Sequence, residues 1–458
     1  MNLFYTPASE LLELYRARTV SPIDVVASVF ARIDAHNETI NALYVLDRAG
    51  ATAAAEASDA RWRRGEPAGL LDGIPVTVKD HIPTKGMPSP NGSRGTDQEG
   101  SSDLDAPVTS RLREHGAVIV GKTTMPDFGY IASGISTLYG TTRNPWDTSK
   151  NSGGSSSGAG AAVAAGFGQL AIGTDIGGSV RIPSSFCGVV GLKPSYGRVP
   201  FHEPWPWFVA GPMARTVTDV ALLLRVISEP DARDFASLPY DSRDYAAELE
   251  RSRRGLRVGV LPEIGFGLPL DPEIAACLNA TARTLENAGA HISRMPPIFT
   301  ENPEPDFDRC LQVRANATFR EVTEEPRAYV LPEIAEWCQR ADALSAGDLM
   351  RSLIRSGEIR ARTLAACAPY DYVLVPTMPV LPYAAELPWP PNGTAHNQYC
   401  FPFNMSEQPA LSINAGFSAS GLPIGVQFVG RRFDDAGVLQ IARAFEAATP
   451  GLRRRVPF

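Results

Sequence analysis

Two glycine- and serine-rich segments with an alanine run between them constrain this chain more than any other feature. The first, residues 151–160, reads Asn-Ser-Gly-Gly-Ser-Ser-Ser-Gly-Ala-Gly, four Gly and four Ser in ten positions. Flexible linkers share that composition. Here, however, it opens directly into Ala161-Ala162-Val163-Ala164-Ala165, a helix-forming stretch. The second is Gly173-Thr174-Asp175-Ile176-Gly177-Gly178-Ser179. Two adjacent residues without a Cβ permit a turn closed to other residues. Successive amides in such a turn form a concave nest of N–H donors, which is what a tetrahedral oxyanion needs. A hydroxyl on the next residue, Ser179, then lies within reach of the same carbonyl.

The rest of the chain alternates helix and strand patterns. Ser21-Pro22 is a helix start, followed by an apolar stripe at Val25, Val26, Val29, Phe30 and Ile33. Ala51 to about Arg64 predicts a second helix. Gly73 to Asp80 alternates as a strand, and Ala117-Val118-Ile119-Val120-Gly121 reads as a buried one. Residues 83–107 between them read as a long loop. Later strands are expected at 256–261, 372–376 and 423–429, with helices at 272–289 and 434–447. The pattern predicts an α/β fold around a mixed, mostly parallel sheet. No repeat or clean linker divides the chain.

A formal net charge of −7 gives no electrostatic footprint for nucleic acid or an anionic membrane. The weakly polar stretch 159–173 is too short for a membrane span, which needs about 20 strongly apolar residues. The N-terminus carries Glu10 and Glu13 and lacks the pattern of a signal peptide, so a cytoplasmic location is expected. Six scattered cysteines form no CxxC pair, and the histidines show no HxxxH or HxH spacing. Neither a metal nor a redox dithiol is expected.

Two motif matches fail on context. Gly154-Ser155-Ser156-Ser157-Gly158 fits GxSxG, which would make Ser156 a nucleophile, but 144–148 is turn-like where that motif needs a strand. Gly166-Phe167-Gly168-Gln169-Leu170-Ala171 fits a loose dinucleotide fingerprint, but it follows a helix. What remains is Lys79 at a strand end, Ser155 in the first loop and Ser179 in the second.

These segments resemble the amidase signature family of serine hydrolases. The resemblance is carried by Gly153 to Gly158, Gly173 to Pro183 and Cys187 to Pro194, with Gly73 to Asp80 similar to the family's lysine segment. Gly121-Lys122-Thr123, Thr142 to Trp146 and Leu422 to Gln427 are also similar. The resemblance implies one amidase domain over 1–458: N-terminal helices to about 60, a signature core over 60–220, and remaining α/β and substrate-side elements over 221–458. It further implies an α/β/α sandwich with no cofactor and no metal. Ser179 corresponds to the nucleophile, Ser155 to the bridging serine after a cis peptide, and Lys79 to the base. The amides of Ile176, Gly177, Gly178 and Ser179 correspond to the oxyanion hole, and Asp175 and Arg181 to framework positions. Departures from the pattern are Ser157-Gly158-Ala159-Gly160, His81, and Met405-Ser406-Glu407-Gln408-Pro409; the last two are expected toward the substrate.

The implied activity is hydrolysis of a small carboxamide through an acyl-serine intermediate. The implied partner is a small amide, with no nucleic acid and no membrane; a homodimer is left open. An alternative is the glutaminase component of a tRNA-dependent amidotransferase. Against it, Phe201 to Pro212 lacks the Asp-Gln pair which that component carries before its Gly-Pro. A non-enzymatic binding protein on the same fold is disfavoured, since all three catalytic residue types are present. Trp205, Trp207, Phe208, Phe128 and Tyr130 fall where a wall for an apolar or aromatic acyl group is expected, or equally where core aromatics would sit.

Overall fold

The computed structural model describes residues 2–96, 100–202, 205–250, 254–393 and 397–458. Among these, eleven strands form one sheet. In chain order they are β1 (Leu43–Leu46), β2 (Pro75–Lys79), β3 (Val118–Thr123), β4 (Leu170–Asp175), β5 (Val190–Lys193), β6 (Val209–Ala214), β7 (Arg257–Val260), β8 (His291–Arg294), β9 (Tyr372–Pro376), β10 (Ala410–Phe417) and β11 (Pro423–Val429). Their spatial order is β1-β3-β2-β4-β6-β5-β10-β11-β9-β7-β8.

The sheet is mixed, as expected, but it is not mostly parallel. Parallel ladders join β3-β2-β4 and β9-β7-β8. The six ladders linking β1 to β3 and running from β4 through β6, β5, β10 and β11 to β9 are antiparallel. The connections explain this. Residues 418–422 join β10 to β11 as a hairpin, and 194–208 join β5 to β6 without the crossover helix that a parallel return requires.

Both faces of the sheet are covered. Along β3, Val118 and Val120 pack with Val29, Ile33 and Ala162, whereas Ile119 joins a second cluster with Leu223 and Leu224. Strands buried on both sides read as continuous apolar runs, as Val118 to Val120 do. The helix Pro22–Ile40 starts on a capping box in which Ser21 and Asp24 bond reciprocally. The helix Ser157–Ala165 is buried along its whole length. Its small residues allow that approach: a Cβ on Gly158 would lie 2.3 Å from the Ala42 carbonyl oxygen. No helix among the described residues is long and apolar enough to cross a membrane.

Candidate active site

Strand β2 ends at Lys79, whose side chain is fully buried beneath the first glycine-serine loop. Its Nζ donates to Ser155 Oγ at 2.9 Å and to Thr174 Oγ1 at 3.0 Å. Burial disfavours the ammonium and brings its pKa down to about 7, against the opposing pull of Asp175 and Asp80. Strand alternation sends Asp80 the other way. Its carboxylate accepts from the hydroxyls of Tyr44 and Tyr139 and from the Gly92 N–H.

The Gly154–Ser155 peptide is cis. Ser156, the rejected alternative nucleophile, is fully buried. Its hydroxyl donates to the Thr174 carbonyl and accepts from the Thr174 N–H, both at 3.2 Å, and its own N–H donates to the Ser179 carbonyl at 3.1 Å. These bonds clamp the two loops together and occupy the Ser156 hydroxyl. A short hairpin of Arg143–Asn144 with Asp147–Asn151 does precede the loop, where a turn was expected. The bonds, not the lack of a strand, are what set Ser156 aside.

After β4 the chain turns around the Asp175 carboxylate, which accepts from the N–H groups of Gly178 (2.9 Å) and Val180 (3.2 Å). Arg181 binds it through Nε at 3.0 Å and Nη2 at 2.9 Å, and Asn404 Nδ2 adds a bond of 2.9 Å. Burial alone would raise this carboxyl, but Arg181, Asn404 and Lys193 hold it well below the usual carboxylate range. Gly178 has φ +119°, and a Cβ there would sit 2.8 Å from Cys400 Cβ. Because its amide is committed to Asp175, Gly178 shapes the turn. Of the four amides expected to serve an oxyanion, this one is therefore not free to donate. The amides of Ile176, Gly177 and Ser179 make no hydrogen bond among the described residues.

Ser179 stands where two cavities meet. The larger, about 390 Å³, is walled by Tyr130, Phe307, Leu311, Trp337 and Trp389, with Glu304, Asp308, Glu333 and Arg340 also lining it. Burial raises the Asp308 carboxyl, even though Trp337 Nε1 donates to it at 2.8 Å. The smaller, about 280 Å³, holds Ser155 and Thr174, with His81, His202, Phe208 and Arg314 around them.

Of the aromatics anticipated near the substrate, Phe128 and Phe208 line the smaller cavity and Tyr130 lines both. Trp205 stacks under Arg314 instead, and Trp207 is buried in the core against Phe307. In the run 201–212, Glu203 and Pro204 lie outside the described residues. His81 faces the smaller cavity as expected. Residues 405–409 line neither: Met405 is buried in the core, and Glu407 pairs with Arg360 and Arg432. Thr174 and Arg314 were not singled out from the sequence. Alternation along β4 would have revealed Thr174, but no local signal marks Arg314. All six cysteines are free thiols, five of them buried. Among the described residues no cluster of His, Cys, Asp or Glu is arranged to hold a metal.

The profile of the family described as Amidase matches residues 24–439. An acylamidase of Rhodococcus erythropolis is 34% identical over 466 residues, covering 98% of this chain and 96% of that one. The glutamyl-tRNA(Gln) amidotransferase A-type subunit of Myxococcus xanthus is 36% identical over 479 residues, covering 98% of each. Among solved structures, a bacterial aryl acylamidase of the amidase signature family superposes with a TM-score of 0.92 at 28% identity, covering 98% of both chains. A substrate complex of 6-aminohexanoate cyclic dimer hydrolase gives 0.90, also at 28% identity, over 99% of both. With the Lys79–Ser155 contact, the glycine turn at Ser179 and these likenesses together, the chain belongs to the amidase signature family and is an amidase, a hydrolase of carbon–nitrogen bonds in linear amides.

Proposed function

We propose that this amidase cleaves small carboxamides through an acyl-Ser179 intermediate, with Ser155 and Lys79 relaying the proton. The observation that carries the reading is the buried Lys79 amine, 2.9 Å from Ser155 Oγ in the cavity that Ser179 also lines. At the ordinary lysine pKa only about one amine in a thousand is neutral at pH 7. Burial lowers the Lys79 pKa to about 7, so a far larger share of its amine is neutral and able to accept a proton. Lys79 takes a proton from Ser155, Ser155 takes one from Ser179, and the Ser179 oxygen attacks the carbonyl. The amides of Ile176, Gly177 and Ser179 face the developing oxyanion. The proton returns through Ser155 to the leaving nitrogen, and water then cleaves the ester by the same relay.

The aromatic walls of the larger cavity favour an apolar or aryl acyl group, in keeping with the acylamidase and aryl acylamidase among the similar proteins. Relatives that serve as glutamyl-tRNA(Gln) amidotransferase components have comparable identity, so glutaminase activity is the second reading. Purified chain assayed alone on aryl and aliphatic amides and on glutamine tests both. Aryl or aliphatic amide turnover without a partner supports the first reading. Turnover of glutamine alone, rising when a partner protein is added, supports the second.

A further inference from the structure

We propose that the Ser155-side cavity receives the amine half of the substrate and that Arg314 selects amines bearing a carboxylate. This rests on Ser179 and Ser155 acting as above. When the acyl-enzyme forms, the carbon–nitrogen bond breaks and the nitrogen must gain a proton from Ser155 Oγ. Ser155 lines the smaller cavity and not the larger, so the leaving amine lies in the smaller one. The acyl half is then left to the aromatic-walled side.

Arg314 projects from the helix Glu304–Glu321 into that smaller cavity. Its guanidinium carbon lies 5.1 Å from the Phe208 ring centre and 5.3 Å from that of Trp205. Stacking on ring faces fixes a guanidinium while leaving its edge N–H groups available for a bidentate acceptor. Among the described residues Arg314 makes no ion pair, and no acidic side chain lines this cavity, whereas three line the other. His81 adds a second unmet group: Nδ1 lies 3.1 Å from Met125 Sδ, and Nε2 is buried with no hydrogen-bond partner among the described residues. Burial, with the nearby charges of Lys79 and Arg314, holds His81 well below the usual histidine range, so it does not compete as a cation. A cation without a counter-ion among the described residues, beside aromatic faces and an unmet ring nitrogen, complements an anionic amine.

Protection of Ser179 from a fluorophosphonate tests this without knowledge of the acyl group. The probes are para-aminobenzoate and its uncharged isostere para-aminobenzamide. The carboxylate should protect at a concentration at least about tenfold lower, the order of a charge-assisted pair. That ratio should fall to about one in Arg314→Met and recover in part in Arg314→Lys. Equal protection in the unaltered enzyme, or a ratio that survives Arg314→Met, overturns the assignment while leaving the Ser179 reading intact. Labelling elsewhere, with Ser179→Ala still active, overturns both.

Discussion

The two cavities that meet at Ser179 differ in almost every physical respect. The larger is walled by Tyr130, Phe307, Trp337 and Trp389 and carries three carboxyl groups. The smaller has Ser155, Thr174, two histidines and Arg314 and, among the described residues, no acidic side chain. Apolar burial is non-directional, so the first can accept a class of groups of similar size. Hydrogen bonds are directional and charge selects by sign, so the second is the side suited to discriminate. On the proposed relay, proton transfer belongs to the second, because among the described residues the Lys79 amine bonds Ser155 and Thr174. On the proposed reading, the division places chemistry on one side of Ser179 and bulk recognition on the other.

Perturbing the shared residue should have the largest effect. Ser179→Ala should reduce kcat on the order of a million-fold, as loss of a nucleophile does. Measured by steady-state turnover, a small loss would mean that neither cavity serves Ser179. Next, Ser155→Ala should lower kcat by about 10²–10⁴-fold, with the melting temperature little changed. Lys79→Arg should not rescue a Lys79→Ala enzyme, because a guanidinium remains protonated. In the unaltered enzyme, kcat/KM should rise as pH increases through about 7, since the working form of Lys79 is the neutral one. A flat profile from pH 6 to 8 in buffers of constant ionic strength would break the link between burial and base.

Smaller effects sharpen the contrast. Trp337→Ala should raise KM for an aryl acyl group by about tenfold while altering the pH profile little, since Trp337 lines only the larger cavity. A shift in the ascending limb would show that the two sides are not separable. Asp175→Asn concerns the turn that both cavities share. It leaves Arg181 buried without its counter-charge, and breaking such a pair typically costs about 3–5 kcal/mol of stability. Thermal unfolding would report that loss.

The residues that the structure brings together near Ser179 were legible because each lies in a local pattern. Gly177-Gly178 implied a turn, and alternation along β2 put Lys79 and Asp80 on opposite faces, where the structure has them. The state of the turn's amides was legible only in part. Which amide is spent on Asp175 depends on how the turn closes, and glycine spacing does not encode that. The cavity walls were not legible. Phe307, Leu311 and Arg314 come from Glu304–Glu321, more than a hundred residues from Ser179 in sequence, and reach the site through helix packing. The parallel share of the sheet was overestimated for the same reason. Strand order is a long-range property, and hairpins such as 410–429 enforce antiparallel pairing wherever they insert.

Mass-spectrometric mapping of fluorophosphonate-treated enzyme examines the nucleophile directly. A single adduct on the peptide carrying Ser179, absent from Ser179→Ala and slowed in Lys79→Ala, is the expected result. An adduct on Ser156, or undiminished amide turnover by Ser179→Ala, would contradict it.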